Sequence, residues 1–113
     1  MLVGFDRLNN SGTPPTVIIC GNDVLGVGAL RRAQDRGMSI PKDISITGFD
    51  DIGISRIVTP ALTTVHVPHS EMGTKAADKL VAMVHKTDKP GSIRLPTTLK
   101  LRASLAPPHD RNR

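Results

Sequence analysis

Ile44-Ser45-Ile46-Thr47-Gly48-Phe49-Asp50-Asp51 is the stretch on which the fold turns. Ile44 and Ile46 alternate with Ser45 and Thr47, the two-residue period of a strand, and Gly48 marks where such a strand ends or lets backbone approach closely. Two acids stand just past that end. In an open parallel α/β sheet, ligands bind in the crevice beyond the carboxyl ends of the strands, which makes Asp50 and Asp51 candidates for recognition. The same pair serves equally well as turn formers, because Asp side chains bond to nearby backbone.

Working outward, Thr16-Val17-Ile18-Ile19-Cys20 is continuously apolar and β-branched, the pattern of a strand covered on both faces in a parallel sheet. From Val24 the spacing turns helical, with Val24, Val27, Ala29, Leu30 and Ala33 on or near one side and Arg31, Arg32, Gln34, Asp35 and Arg36 on the polar face. Asn22 or Asp23 can accept from the free N–H groups of the first turn, and Gly37 supplies a left-handed stop, so a helix is expected over about 23–36. Pro41-Lys42-Asp43 then turns the chain into the strand at Ile44. Strand, helix and strand make a βαβ unit with a right-handed crossover, so both strand ends point the same way. Asn22-Asp23 and Asp50-Asp51 therefore meet at one rim. Asn22 offers donor and acceptor, and an ionised Asp50 offers acceptors only, a pair suited to neighbouring hydroxyl or N–H groups of a sugar or purine. A carboxylate forms hydrogen bonds roughly twice as strong as neutral ones, so one such residue can dominate orientation. Asn22 acting only as a helix cap is the competing reading, and Asp23 is read as a cap.

Downstream, Ile52–Thr59 has room for one or two helical turns before Pro60, and Leu62–Val67 returns to strand character. His69–His85 is amphipathic, with Met72, Ala76, Leu80 and Met83 as its apolar stripe. Ile93–Leu101 reads as a last strand, placed at an edge or bulge by Pro96. The organisation is a lead-in segment at 1–15, ending in the loop chemistry of Asn9 to Pro15, a main domain at 16–106 and a frayed tail at 107–113.

The totals agree with one domain. The chain has 113 residues, only Phe5 and Phe49 are aromatic, and the core must be aliphatic. The net charge of +5 is uneven: residues 1–65 carry six basic and six acidic side chains, and residues 66–113 carry nine and four. The excess is dispersed among polar residues, which reads as a solvated surface and not a nucleic-acid patch. Cys20 is the only cysteine, which excludes an internal disulfide and a cysteine-based metal cluster; it reads as a small apolar residue at a strand end. His66, His69, His85 and His109 do not converge as metal ligands and read as surface histidines. No signal peptide or membrane-length apolar run is seen, so an intracellular, soluble chain is expected. P-loop, dinucleotide, nucleophile-elbow and zinc-helix motifs are absent, no cofactor is implied, and an α/β enzyme using Asp50 as a base lacks a supporting nucleophile.

The run Thr16 to Leu30, then Arg36-Gly37, Ile40 to Asp51 and Pro60-Ala61-Leu62-Thr63-Thr64-Val65, continuing through Gly73 to Arg102-Ala103-Ser104, resembles the effector-binding core of the LacI/GalR family of bacterial transcription regulators. The resemblance covers roughly residues 14–106. It implies a parallel-sheet three-layer α/β sandwich, the C-terminal subdomain of a periplasmic-binding-protein-like fold, incomplete in these residues. It implies a cytoplasmic regulator, a small-molecule effector held by Asn22 and Asp50 with His69 nearby, and operator DNA bound only through an N-terminal helix-turn-helix that these residues lack. Asp51 keeps the structural role. The stripe on the helix at about 70–86 is implied to pack on a subdomain not included here, with collapse onto the sheet or element exchange as other ways of covering it. A homodimer is implied, with Leu25, Leu30, Ile54 and Ile57 at its contact. A sugar-binding protein of an uptake system shares the fold and is the alternative.

Overall fold

The computed structural model describes residues 2–108, the side chain of Leu2 excepted. The tail expected at 107–113 and His109 therefore fall outside the described residues from 109 onward. Along the chain come α1 (Leu2–Asn9), β1 (Val17–Ile19), α2 (Asp23–Asp35), β2 (Ser45–Thr47), α3 (Ile54–Ile57), β3 (Thr64–His66), α4 (His69–Val84) and β4 (Thr98–Lys100). They divide into two units, Met1–His66 with Leu99–Arg113, and Val67–Thr98.

In the first unit, β1 and β2 pair in parallel with Ile18 opposite Ile46, as a βαβ crossover through α2 requires. The far edge of β2 is shared by two segments. The Ile46 N–H donates to Ser104 O at 3.0 Å, and one residue pair further on Thr47 and Thr63 make a parallel bridge. Ser104 is fully buried and closes this seam. Its hydroxyl donates to Ile46 O at 2.5 Å while its Oγ accepts the Thr63 N–H at 2.8 Å. β3 and β4 form a second two-stranded ladder.

The core is aliphatic apart from Phe5: Ala29, Leu30, Ala33, Ile44, Ile46 and Leu62 cluster with it. Helix α2 buries Asp23, Gly26, Ala29, Leu30 and Ala33, which recur at three- and four-residue steps. Val24, expected on that stripe, faces outward instead. Gly26 lies on the buried face, where a Cβ would come within 2.8 Å of Leu62 Cδ2 and 3.5 Å of Thr47 O, so the helix packs closely there.

Two further expectations change. The lead-in segment at 1–15 contains a helix, α1, that belongs to the core unit. Phe5 is buried, and Asp6 is clamped by Arg32 (Nε to Oδ1 3.0 Å, Nη2 to Oδ2 2.8 Å) and by Arg36 (Nη1 to Oδ1 2.6 Å) from the polar face of α2. Strand β1 is not covered on both faces: Ile18 packs inward, while Ile19 is 79% exposed. Among the described residues β1 has one ladder partner, and its outer face carries no layer.

The second unit is α4 with its following turn. No residue of α4 is buried, so Met72 and Leu80 of the stripe lie open, together with Val81 and Val84. Lys79 Nζ bonds Asp88 Oδ2 at 2.9 Å and ties the turn back to the helix.

Candidate functional site

Asn22 and Asp50 lie on the two turns that leave β1 and β2. The turns are stitched together by the Asp23 N–H donating to Phe49 O at 2.9 Å. Asn22 is the N-cap of α2: its Oδ1 accepts the Leu25 N–H at 2.9 Å, with extended backbone at the cap residue. Capping occupies one lone pair of Oδ1, and the amide Nδ2 is the group with which Asn22 can donate to a ligand. The two readings of Asn22 are thus compatible.

Asp23, read as a cap, is instead the first residue of α2, and its carboxylate bonds outside the helix because Asn22 takes the N-cap. It is fully buried, its Oδ2 accepts the Ile52 N–H at 2.8 Å, and its Oδ1 accepts from Thr64 Oγ1 at 2.5 Å, so one side chain joins the β1, β2 and β3 ends. Gly48 makes room for it, since a Cβ there would stand 3.0 Å from the Asp23 Cα and nearer still to its carboxylate. Both readings of Gly48 are therefore realised: β2 stops at Thr47, and the backbone of Asp23 approaches closely.

The acids themselves form a corner. Asp50 has φ 103° and Asp51 φ 56°, two consecutive non-glycine residues in the left-handed region. The Asp50 N–H donates to Val65 O at 2.9 Å, which locks the corner alongside β3. Asp50 is half-buried, whereas the Asp51 side chain is only 3% exposed. Asp51 Oδ1 takes Arg102 Nη2 at 2.5 Å, and Oδ2 lies 2.9 Å from His66 Nδ1 and 3.8 Å from Arg56 Nη2. Burial is the largest influence on the Asp51 carboxyl and pushes its pKa up. Arg102, His66 and Ser55, bonding to the charged form, together outweigh it and hold the carboxyl below its ordinary value. An ionised carboxylate only accepts, so His66 Nδ1 carries the proton in this contact.

His66 keeps the surface position expected of it, its side chain 42% exposed, but it has a carboxylate partner that the sequence reading did not give it. The parallel bridge between Asp50 and His66 creates that neighbour, and no spacing along the sequence reveals it. Arg102 is the other residue that sequence reasoning did not assign. His69 opens α4 in the second unit, where its N–H donates to Val67 O at 2.8 Å. Leu30, expected at a dimer contact, is 3% exposed and belongs to the core, since its place on α2 faces the sheet. Leu25, Ile54 and Ile57 are exposed, on the neighbouring helices α2 and α3.

An apolar cavity of about 220 Å³ lies among α1, β1 and α2, lined by residues that include Phe5, Ile18, Ile19, Cys20 and Leu25. Burial pushes the Cys20 thiol pKa up, which keeps it protonated and apolar in character. Among the described residues, no cluster of His, Cys, Asp and Glu is placed to hold a metal, and no helix is long and apolar enough to cross a membrane.

A family model described as a periplasmic binding protein-like domain matches residues 1–105. The HTH-type transcriptional repressor PurR of Escherichia fergusonii is 40% identical over 93 residues, which is 81% of this chain and 27% of that protein. The chain thus spans about a quarter of the length of the curated relatives it matches. A transcriptional regulator of the LacI family from Burkhoderia phymatum superposes with a TM-score of 0.81 at 35% identity, over 94% of this chain and 38% of that one. A dimeric lac repressor with an 11-residue C-terminal deletion gives 0.89 at 28% identity, over 96% and 40%. A LacI family regulator from Arthrobacter sp. FB24, in complex with lactose, gives 0.81 at 25%, over 91% and 39%.

Proposed function

Since the chain belongs to the periplasmic-binding-protein-like domain family, in the form carried by LacI/GalR-type regulators, we propose that it is the ligand-sensing and dimerising portion of a transcriptional repressor. Asn22 and Asp50 are its effector contacts, the first donating through Nδ2 and the second accepting through its carboxylate. The observation that carries this reading is their juxtaposition: two turns at the carboxyl ends of parallel strands, stitched by Asp23 N–H to Phe49 O at 2.9 Å. The effector is a small polar molecule presenting adjacent hydroxyl or N–H groups, as sugars and purines do. Operator DNA is bound by a helix-turn-helix outside the matched residues, in the cytoplasm, and effector binding shifts the regulator between states of different operator affinity. The relatives are transcriptional regulators, which favours this reading over an uptake protein and over an enzyme. Dimer contact is assigned to the exposed apolar side chains Leu25, Ile54 and Ile57.

The test is a thermal-shift screen of the intact regulator against a panel of sugars and purine bases, followed by Asp50→Asn. Asparagine tolerates positive φ, so the corner survives while its charge is lost. The expected result is a stabilising compound in the panel whose shift disappears in Asp50→Asn. An undiminished shift in that variant removes Asp50 from the site.

A further inference from the structure

Two adjacent non-glycine residues at positive φ are strained and persist only where their surroundings over-determine them. At Asp50 and Asp51 the backbone anchors are the Asp50 N–H to Val65 O at 2.9 Å and the long 3.4 Å contact from the Asp51 N–H to Thr64 Oγ1. The strongest remaining hold is on the Asp51 side chain, and it comes from Arg102. That guanidinium is 16% exposed and is fixed independently of Asp51: Nη1 donates to Leu62 O at 3.0 Å and to Ser55 Oγ at 2.9 Å. The Arg102 backbone is fixed too, its N–H donating to Thr63 Oγ1 at 2.9 Å while its carbonyl accepts from the same hydroxyl at 3.2 Å. A planar fork held at one end and bonded to a carboxylate at the other is a rigid strut. Ser55 braces it from α3, with Oγ 3.2 Å from Asp51 Oδ1 and donating to Ile52 O at 2.7 Å. His66 takes the second carboxylate oxygen, so both oxygens of Asp51 are occupied by groups on other segments.

We propose that Arg102 is a positioning residue of the effector site: by fixing the Asp51 carboxylate it holds the 50–51 corner in the left-handed geometry that presents Asp50. This rests on the reading of Asp50 as an effector contact, but its test needs no effector. Amide hydrogen exchange by NMR on the 113-residue chain compares Asp50 and Ile52, the corner amides, with Met38 and Gly26, whose N–H groups donate to Ala33 O and Asn22 O at 3.0 Å in the same unit. Arg102→Gln is expected to speed exchange at Asp50 and Ile52 at least tenfold relative to Met38 and Gly26. Asp51→Asn, which cuts the strut from its other end while keeping the side chain's shape, produces the same selective release and serves where Arg102→Gln fails to fold. In an Asp51→Gly background, where the residue no longer resists positive φ and carries no carboxylate, adding Arg102→Gln gives no further release at Asp50. Uniform acceleration of all four amides, or an equal effect of Arg102→Gln with and without the Asp51 carboxylate, overturns the proposal. If the selective release is seen but Asp50→Asn leaves ligand shifts intact, the strut stands and the assignment of Asp50 falls.

Discussion

Gly48 shows how much a single residue carries. It ends β2, donates its N–H to Thr63 O at 2.9 Å and lets the buried Asp23 lie against its Cα. Gly48→Ala puts a methyl group into backbone that has no room to move, and overpacking of this kind costs about 1–3 kcal/mol. Urea denaturation of the variant should show that loss. Stability equal to the parent's contradicts the close approach. The glycine was legible in the sequence as a strand end, and Asp50 and Asn22 were legible as rim residues because local chemistry, a strand stop followed by acids and a cap before a helix, is written locally. The partners of Asp51 were not. Arg102 lies 51 residues away and His66 lies 15 away, so their convergence depends on which strands become neighbours, a property of the folded sheet and not of any window along the chain.

At the scale of elements, α2 and the strands it joins followed from hydrophobic period and turn chemistry, whereas α1 did not. Its eight residues are short for an isolated helix and are followed at once by Asn9-Asn10-Ser11-Gly12, so nothing local argues for it. It is held by tertiary contacts, Phe5 in the core and Asp6 on two arginines. Hydrogen bonds from Arg32 and then Arg36 hold the Asp6 carboxyl down to about 2, against an ordinary 3.8. A carboxyl whose pKa is lower in the folded than in the unfolded chain adds stability above the unfolded value and loses it as pH falls through the folded one. Docking of α1 therefore weakens as pH drops from 3.8 to about 2, and Asp6→Asn removes that dependence. An acid titration followed on the Phe5 ring resonances tests this. Identical titration in parent and variant contradicts it. The open face of β1 is the complementary case. Val17-Ile18-Ile19 reads as a fully covered strand, and the composition is suited to coverage that the described residues do not supply to Ile19.

At the scale of the molecule, the chain presents apolar side chains that its own core does not use. Ile57, 79% exposed, stands on α3 with Ile54, beside Leu25 of α2. Assigned to a dimer contact, they predict that Ile57→Asp shifts the protein toward monomer in sedimentation equilibrium while leaving its circular dichroism unchanged. A mass unaffected by Ile57→Asp moves the contact elsewhere. Leu30 shares its type with these residues, but it lies on the buried face of α2 with Ala29 and Ala33, the side on which the helical period already placed it. Sensing and dimerisation are thus assigned to adjacent parts of one short stretch: the corner at Asp50 and Asp51 follows β2, and α3 begins three residues later at Ile54.

The measurement that bears most directly on the central claim is operator release by the intact regulator, followed by fluorescence anisotropy on its own promoter DNA, with the compound found in the thermal-shift panel added to parent and to Asp50→Asn. The predicted result is equal operator binding by both without the compound and a compound-dependent change in affinity in the parent alone. A response of the same size in Asp50→Asn contradicts the account.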